Sequence, residues 1–156
     1  MLSARGGAPP GVPETAARDV VVSLTQGSAR VVLDLPLSSP VLPAVLSSGA
    51  LVVLVIGLRT RALADADAAV SHLLDAPGAP EIAPDLRLVS RGGRAGSDVV
   101  DEVVAHLGVA HLHHLPDDPH VPRDAERGLF PGTGRDGIRR CADAVVGAVD
   151  ALAVAS

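Results

Sequence analysis

The chain has 156 residues, 47% of them hydrophobic and 1% aromatic, so a single domain-sized core must be filled by Val, Leu and Ala rather than by rings. A formal net charge of −5 gives no global attraction to nucleic acid or to an anionic membrane, and the lack of Tyr and Trp removes the usual stacking platforms for single strands. All 13 basic residues are arginine, which excludes both a G-x-x-x-x-G-K-[ST] phosphate loop and a Schiff-base lysine; the single Cys141 excludes an internal disulfide and fits a reducing cytoplasm.

Residues 1–13 read as a flexible leader, Gly/Pro-rich and without the apolar segment of a signal peptide. Arg5-Gly6-Gly7 is not a phosphate loop there, because no strand precedes it and no Lys-Ser/Thr follows. Residues 14–156 read as one α/β domain. A helix is expected to about residue 26, with Ala17, Val20, Val21 and Leu24 on one face and Gly27-Ser28 ending it. Residues 31–35 (Val-Val-Leu-Asp-Leu) and 51–56 are short β-branched runs, expected as central strands buried on both faces of a parallel sheet. The first ends on Asp34, and ligands of such sheets sit outside the carboxyl ends of the strands. Residues 41–48 between them read as a short helix broken by Gly49. Together with the second strand this region approaches the length of a membrane span, but Pro43 and Ser47-Ser48-Gly49 interrupt it, so no transmembrane segment is expected.

Residues 61–74 form an amphipathic helix with Leu63, Ala66, Val70, Leu73 and Leu74 inward. Asp65 and Asp67 on it are two apart and do not make an acid pair. After a Pro/Gly loop over 75–84, a third strand over 86–89 runs into Ser90-Arg91-Gly92-Gly93-Arg94-Ala95-Gly96-Ser97. A helix over 98–107 follows, with Ser97 or Asp98 as N-cap. The Gly/Arg loop is either a solvated turn or a phosphate holder using backbone N–H groups, the helix dipole and Arg91. Residues 109–115 give a fourth strand, 116–123 an acidic loop, 122–128 a helical turn, 132–137 a loop and 138–154 a long closing helix. Cys141 lies on the apolar face of that last helix with no base nearby and reads as a core residue. The order α-β-α-β-α-β-α-β-α implies right-handed crossovers and a partial doubly wound, mostly parallel sheet.

His111, His113, His114 and His120, with Asp117 and Asp118, supply enough ligands for a divalent metal. On a regular strand His111 and His113 face one way and His114 the other. A site would need His113 or His114 to meet Asp117, Asp118 or His120 across the turn; the plainer alternative is a solvated strand end. No G-x-S-x-G marks a nucleophilic serine.

With the strands in place, VVLDLP, then LVVLVIG and an Arg-bearing helix, then LRLVSRGG, then HLGVAHLHHLPDDPHVPRDAERGLFPG resembles the C-terminal two-thirds of MinD/ParA-type deviant Walker ATPases, closest to their CpaE-like, septum-site-determining branch. The resemblance covers about residues 16–152. It implies a P-loop NTPase-like sheet without its first strand and P-loop, which belong upstream of residue 14. By resemblance, Asp34 takes the place of the Walker B carboxylate that orders Mg²⁺ and water. Ser90-Arg91 stands where many members have Asn-Arg against the adenine, and Pro116-Asp117 where backbone groups line the base. The Walker lysines are absent, and the last helix lacks the basic membrane tail of MinD.

The function this implies is that of a degenerate or truncated CpaE/MinD-like protein of the cytoplasm. It would act in septum placement or in localising a pilus or secretion machine through protein contacts or self-association, without hydrolysing ATP and with no cofactor of its own. Two alternatives stand beside it: a fragment of an active ATPase that would take ATP–Mg²⁺ when joined to an upstream P-loop, and a metal-binding α/β domain using residues 111–120.

Overall fold

The computed structural model describes residues 13–75, 85–93, 96–130 and 137–155. Apart from Pro13, the leader lies outside these residues, as do most of the loop over 75–84 and the loop over 132–136. The chain folds as α1 (Glu14–Gly27), α2 (Leu42–Ser47), β1 (Val52–Gly57), α3 (Thr60–Leu74), β2 (Leu86–Gly92), α4 (Ser97–Leu107), β3 (Ala110–Pro116), α5 (His120–Glu126) and α6 (Gly137–Ala155). The three strands form a parallel sheet in the order β1-β2-β3, with helical crossovers between them. The fold is therefore mixed α/β, as the alternation of short apolar runs and amphipathic helices requires.

The core lies on the sheet face carrying Leu54, Ile56, Leu86 and Leu88. In α3, Ala66, Ala69, Val70 and Leu73 recur at helical spacing and are buried; Val103 and Leu107 of α4 and Leu42 and Leu46 of α2 complete the cluster. Leu46, Leu73 and Leu88 are 0%, 1% and 0% exposed, and burying each such side chain contributes about 1.5–3 kcal/mol. The helix α4 ends at Gly108, whose φ of 64° is the left-handed conformation that closes a helix; its N–H donates to the Val104 carbonyl at 2.9 Å. On the opposite face α6 packs over β3, while β1 is left uncovered enough that Val55 is 57% exposed.

Two expectations are corrected. Residues 31–35 are not a strand: they pair with no other strand, and Val32 is 92% exposed. A β-branched run adopts a ladder only where a neighbour offers its backbone groups, and none of the described strands does so here. The segment is instead held from its ends, by Arg30 to Asp150 of α6 at 2.6 Å and by the His72 ring against the Leu37 carbonyl at 3.3 Å. The expected first strand is therefore missing, β2 rather than residues 31–35 or 51–56 is the central strand, and β1 becomes an edge. The second correction concerns α4, whose N-cap is Gly96 rather than Ser97 or Asp98, with no side chain capping it.

Candidate functional site

Parallel sheets gather ligands at the carboxyl ends of their strands. Here that edge is built by Gly57-Leu58-Arg59 after β1, by Arg91-Gly92-Gly93 at the end of β2 and by Asp117 after β3, with Val99 of α4 closing the side. They surround a cleft of about 550 Å³. Arg91 and Asp117 also border a second cleft of about 740 Å³, between the β3 end, α5 and α6, lined by Pro116, Asp118 and Arg140 among others. Two backbone bonds tie the strand ends together: the Leu58 N–H donates to the Arg91 carbonyl at 3.2 Å and the Asp117 N–H to the Gly92 carbonyl at 2.7 Å. Gly92 sits at φ 140°, a conformation side chains rarely adopt, which lets the strand end turn beneath the cleft. Arg59 and Arg91 are exposed and form no ion pair among the described residues, so the first cleft carries two unneutralised cations and one carboxylate.

The register explains where each side chain points. Leu88 pairs with His111 but Val89 pairs with His113, leaving Leu112 as an extra residue in β3. This bulge overturns the expected alternation: His111 and His114, not His111 and His113, share a face, together with Leu88 and Ser90. Ser90 is 0% exposed, and its Oγ lies 3.0 Å from His111 Nε2 and 2.9 Å from His114 Nδ1. His114 Nε2 in turn lies 3.1 Å from the Gly93 carbonyl oxygen, at the cleft wall. His113, on the other face, has a buried Nε2 with no hydrogen-bond partner. Burial pushes the His111 pKa below the ordinary histidine value, helped by His114. Burial also lowers that of His113, followed by the Arg140 guanidinium and His114. The Cys141 thiol is raised by burial, which suits a packing residue rather than a nucleophile.

Of the site residues expected from sequence, Arg91, Pro116 and Asp117 do converge on the clefts. Ser90 does not line them. β2 runs on to Gly92, so Ser90 is a strand residue facing the core, and it cannot touch a ligand as its place in the resemblance implied. Asp34 is exposed on the irregular segment before α2 and borders neither cleft. The metal candidates separate: His114 is held by Ser90 and Gly93, His113 faces the α6 side, and Asp118 Oδ1 accepts the His120 N–H at 2.8 Å as a turn. Among the described residues no group of three His, Cys, Asp or Glu side chains is placed to hold a metal ion. No described helix is long and apolar enough to cross a membrane.

Comparison with protein families, with characterised proteins and with solved structures finds no match to this chain.

Proposed function

We propose that this chain is a CpaE/MinD-like cytoplasmic protein that works through protein contacts in placing a septum or a pilus or secretion machine, and does not hydrolyse ATP on its own. The observation that carries this reading is the open edge of β1. In a parallel strand, alternate residues direct both backbone groups to the same side. The Val52 N–H reaches toward β2 at Asp85 and the Leu58 N–H at Arg91, so Val53, Val55 and Gly57 direct theirs away from the sheet. A six-residue apolar edge with free donors and acceptors is a template for a strand from another chain. The unladdered run over 31–35 and the apolar residues Val20, Val22 and Leu24 of α1, 56%, 46% and 41% exposed, add surface of the same kind. Absence of any lysine supports the lack of hydrolysis, because the main cationic stabiliser of phosphoryl transfer is missing. A fluorescent fusion in the parent cell should concentrate at the septum or a pole, and purified protein with ATP–Mg²⁺ should release phosphate at background rate. Uniform fluorescence, or turnover above background, contradicts this reading.

The first cleft favours a second reading, a binding module for a phosphorylated small molecule. Arg59 and Arg91, with no carboxylate on them among the described residues, flank a glycine-lined cleft at the edge where α/β sheets take anions. Under this reading pyrophosphate binds measurably by calorimetry and an Arg59→Ala, Arg91→Ala pair loses it. ATP–Mg²⁺ alone binds no better than about millimolar, roughly −4 kcal/mol, since no phosphate loop is present. No heat with pyrophosphate removes this reading and leaves the first intact.

A further inference from the structure

The geometry points to Ser90 as a positioning residue for the Arg59–Arg91 cleft: its buried hydroxyl sets two histidine rings and, through them, fixes the Gly93 wall. The inference rests on the cleft being an anion site. It begins from the partners. The Gly93 carbonyl can only accept, so His114 Nε2, 3.1 Å away, carries its ring proton. In the neutral ring Nδ1 then has only a lone pair, and the group facing it at 2.9 Å is the Ser90 hydroxyl, which must donate. Having given its one proton to His114, Ser90 Oγ accepts from His111 Nε2 at 3.0 Å. With His114 neutral, the chain of donors runs from His111 through Ser90 and His114 to Gly93, with one proton per bond.

This arrangement is enforced because Ser90 is wholly buried and no water can substitute for a lost partner. The imidazole of His114 is rigid, so holding Nδ1 at Ser90 also holds Nε2 at Gly93. The neighbouring Gly92 carbonyl takes the Asp117 N–H at 2.7 Å, so the wall formed by Gly92 and Gly93 is fixed from two sides. From α4, Asp101 is the charged side chain acting on His111, and it favours the ring's charged form against burial and His114. Ser90 thus shapes a binding site without touching its ligand.

Three readouts test this on the full chain: ring ¹⁵N shifts of His114, hydrogen exchange of the Asp117 amide, and pyrophosphate affinity. Ser90→Ala should leave the protein folded, convert His114 from one tautomer to a mixture, and speed Asp117 exchange by about tenfold, with a similar loss of pyrophosphate affinity. Ser90→Thr, which restores a hydroxyl, should recover all three. His114→Phe, which keeps a ring and removes both nitrogens, should reproduce the Asp117 effect. Leu88→Ala, equally buried in the same strand, should lower the melting temperature but leave the His114 tautomer unchanged. Wild-type tautomer and exchange in a folded Ser90→Ala protein overturn the inference. If wild-type protein binds no pyrophosphate the anion reading fails, and the ring and amide readouts alone decide for or against positioning by Ser90.

Discussion

Replacing His113 by leucine should make the protein more stable. The His113 Nε2 is buried without a partner, and a buried polar group left unpaired costs about 1–3 kcal/mol whichever tautomer the ring adopts. Leucine removes that atom but does not match the ring's shape, so part of the gain is lost to imperfect packing, leaving a net of about 1 kcal/mol. For a domain of this size that is a rise in Tm of roughly 2–4 °C. The pH dependence gives an independent check. The folded-state pKa of His113 lies below its unfolded value, through burial and the nearby Arg140. Between the two values the unfolded chain binds more protons, so wild-type stability should fall as pH drops below about 6.5, the ordinary histidine pKa. His111 adds to the slope in the same direction. Urea unfolding from pH 7.5 to 5 should show His113→Leu more stable at every pH and with a shallower slope. A His113→Gln control, still polar, should gain nothing. Equal or lower stability for the leucine variant, with the slope unchanged, would refute the assignment of His113 as an unsatisfied group.

Other substitutions follow from the packing. Leu88→Ala, at a 0% exposed position in the central strand, should cost about 2–5 kcal/mol in urea unfolding; a loss under 1 kcal/mol would mean the core is not centred there. Gly108→Ala should cost about 1 kcal/mol, because φ at this helix end is 64° and alanine is strained there; a neutral result would place the α4 terminus elsewhere. Zinc should raise the melting temperature little, since His114 is already engaged by Ser90 and Gly93; a large shift abolished by His113→Ala, His114→Ala would restore the metal reading.

Periodicity made much of this fold legible. The runs that form β1, β2 and β3 are short and bounded by turn residues, and the helices α3 and α6 show inward faces at helical spacing. Residues 31–35 open on the same Val-Val-Leu as β1 and yet form no strand, because composition records a preference for extended backbone and not the presence of a neighbour to pair with. The bulge at Leu112 left no glycine or other mark in the run His111-Leu112-His113-His114, so the wrong pair of histidines was placed together. For Ser90 the reason is simpler. A strand that ends at Val89 leaves it in a loop, whereas extending the alternation of Leu86 and Leu88 one step further points it into the core. Arg91 is legible from the Gly/Arg loop before a helix N-terminus and Asp117 from the carboxylates that follow the histidine run, and the resemblance points to both. Arg59 was missed, since a single arginine after an apolar strand carries no pattern that marks it as part of a cleft.

The open edge of β1 is the centre of the functional account, and one comparison tests it directly. Val55→Pro removes a backbone N–H that points away from β2, so it should spoil the outer edge while leaving the β1–β2 ladder in place. Sedimentation velocity at micromolar concentration should show the wild-type chain as dimers or larger species and the Val55→Pro chain as a folded monomer. A wild-type protein that sediments as a clean monomer and melts cooperatively at high temperature would contradict the account, because its three strands would then close a core with no second chain.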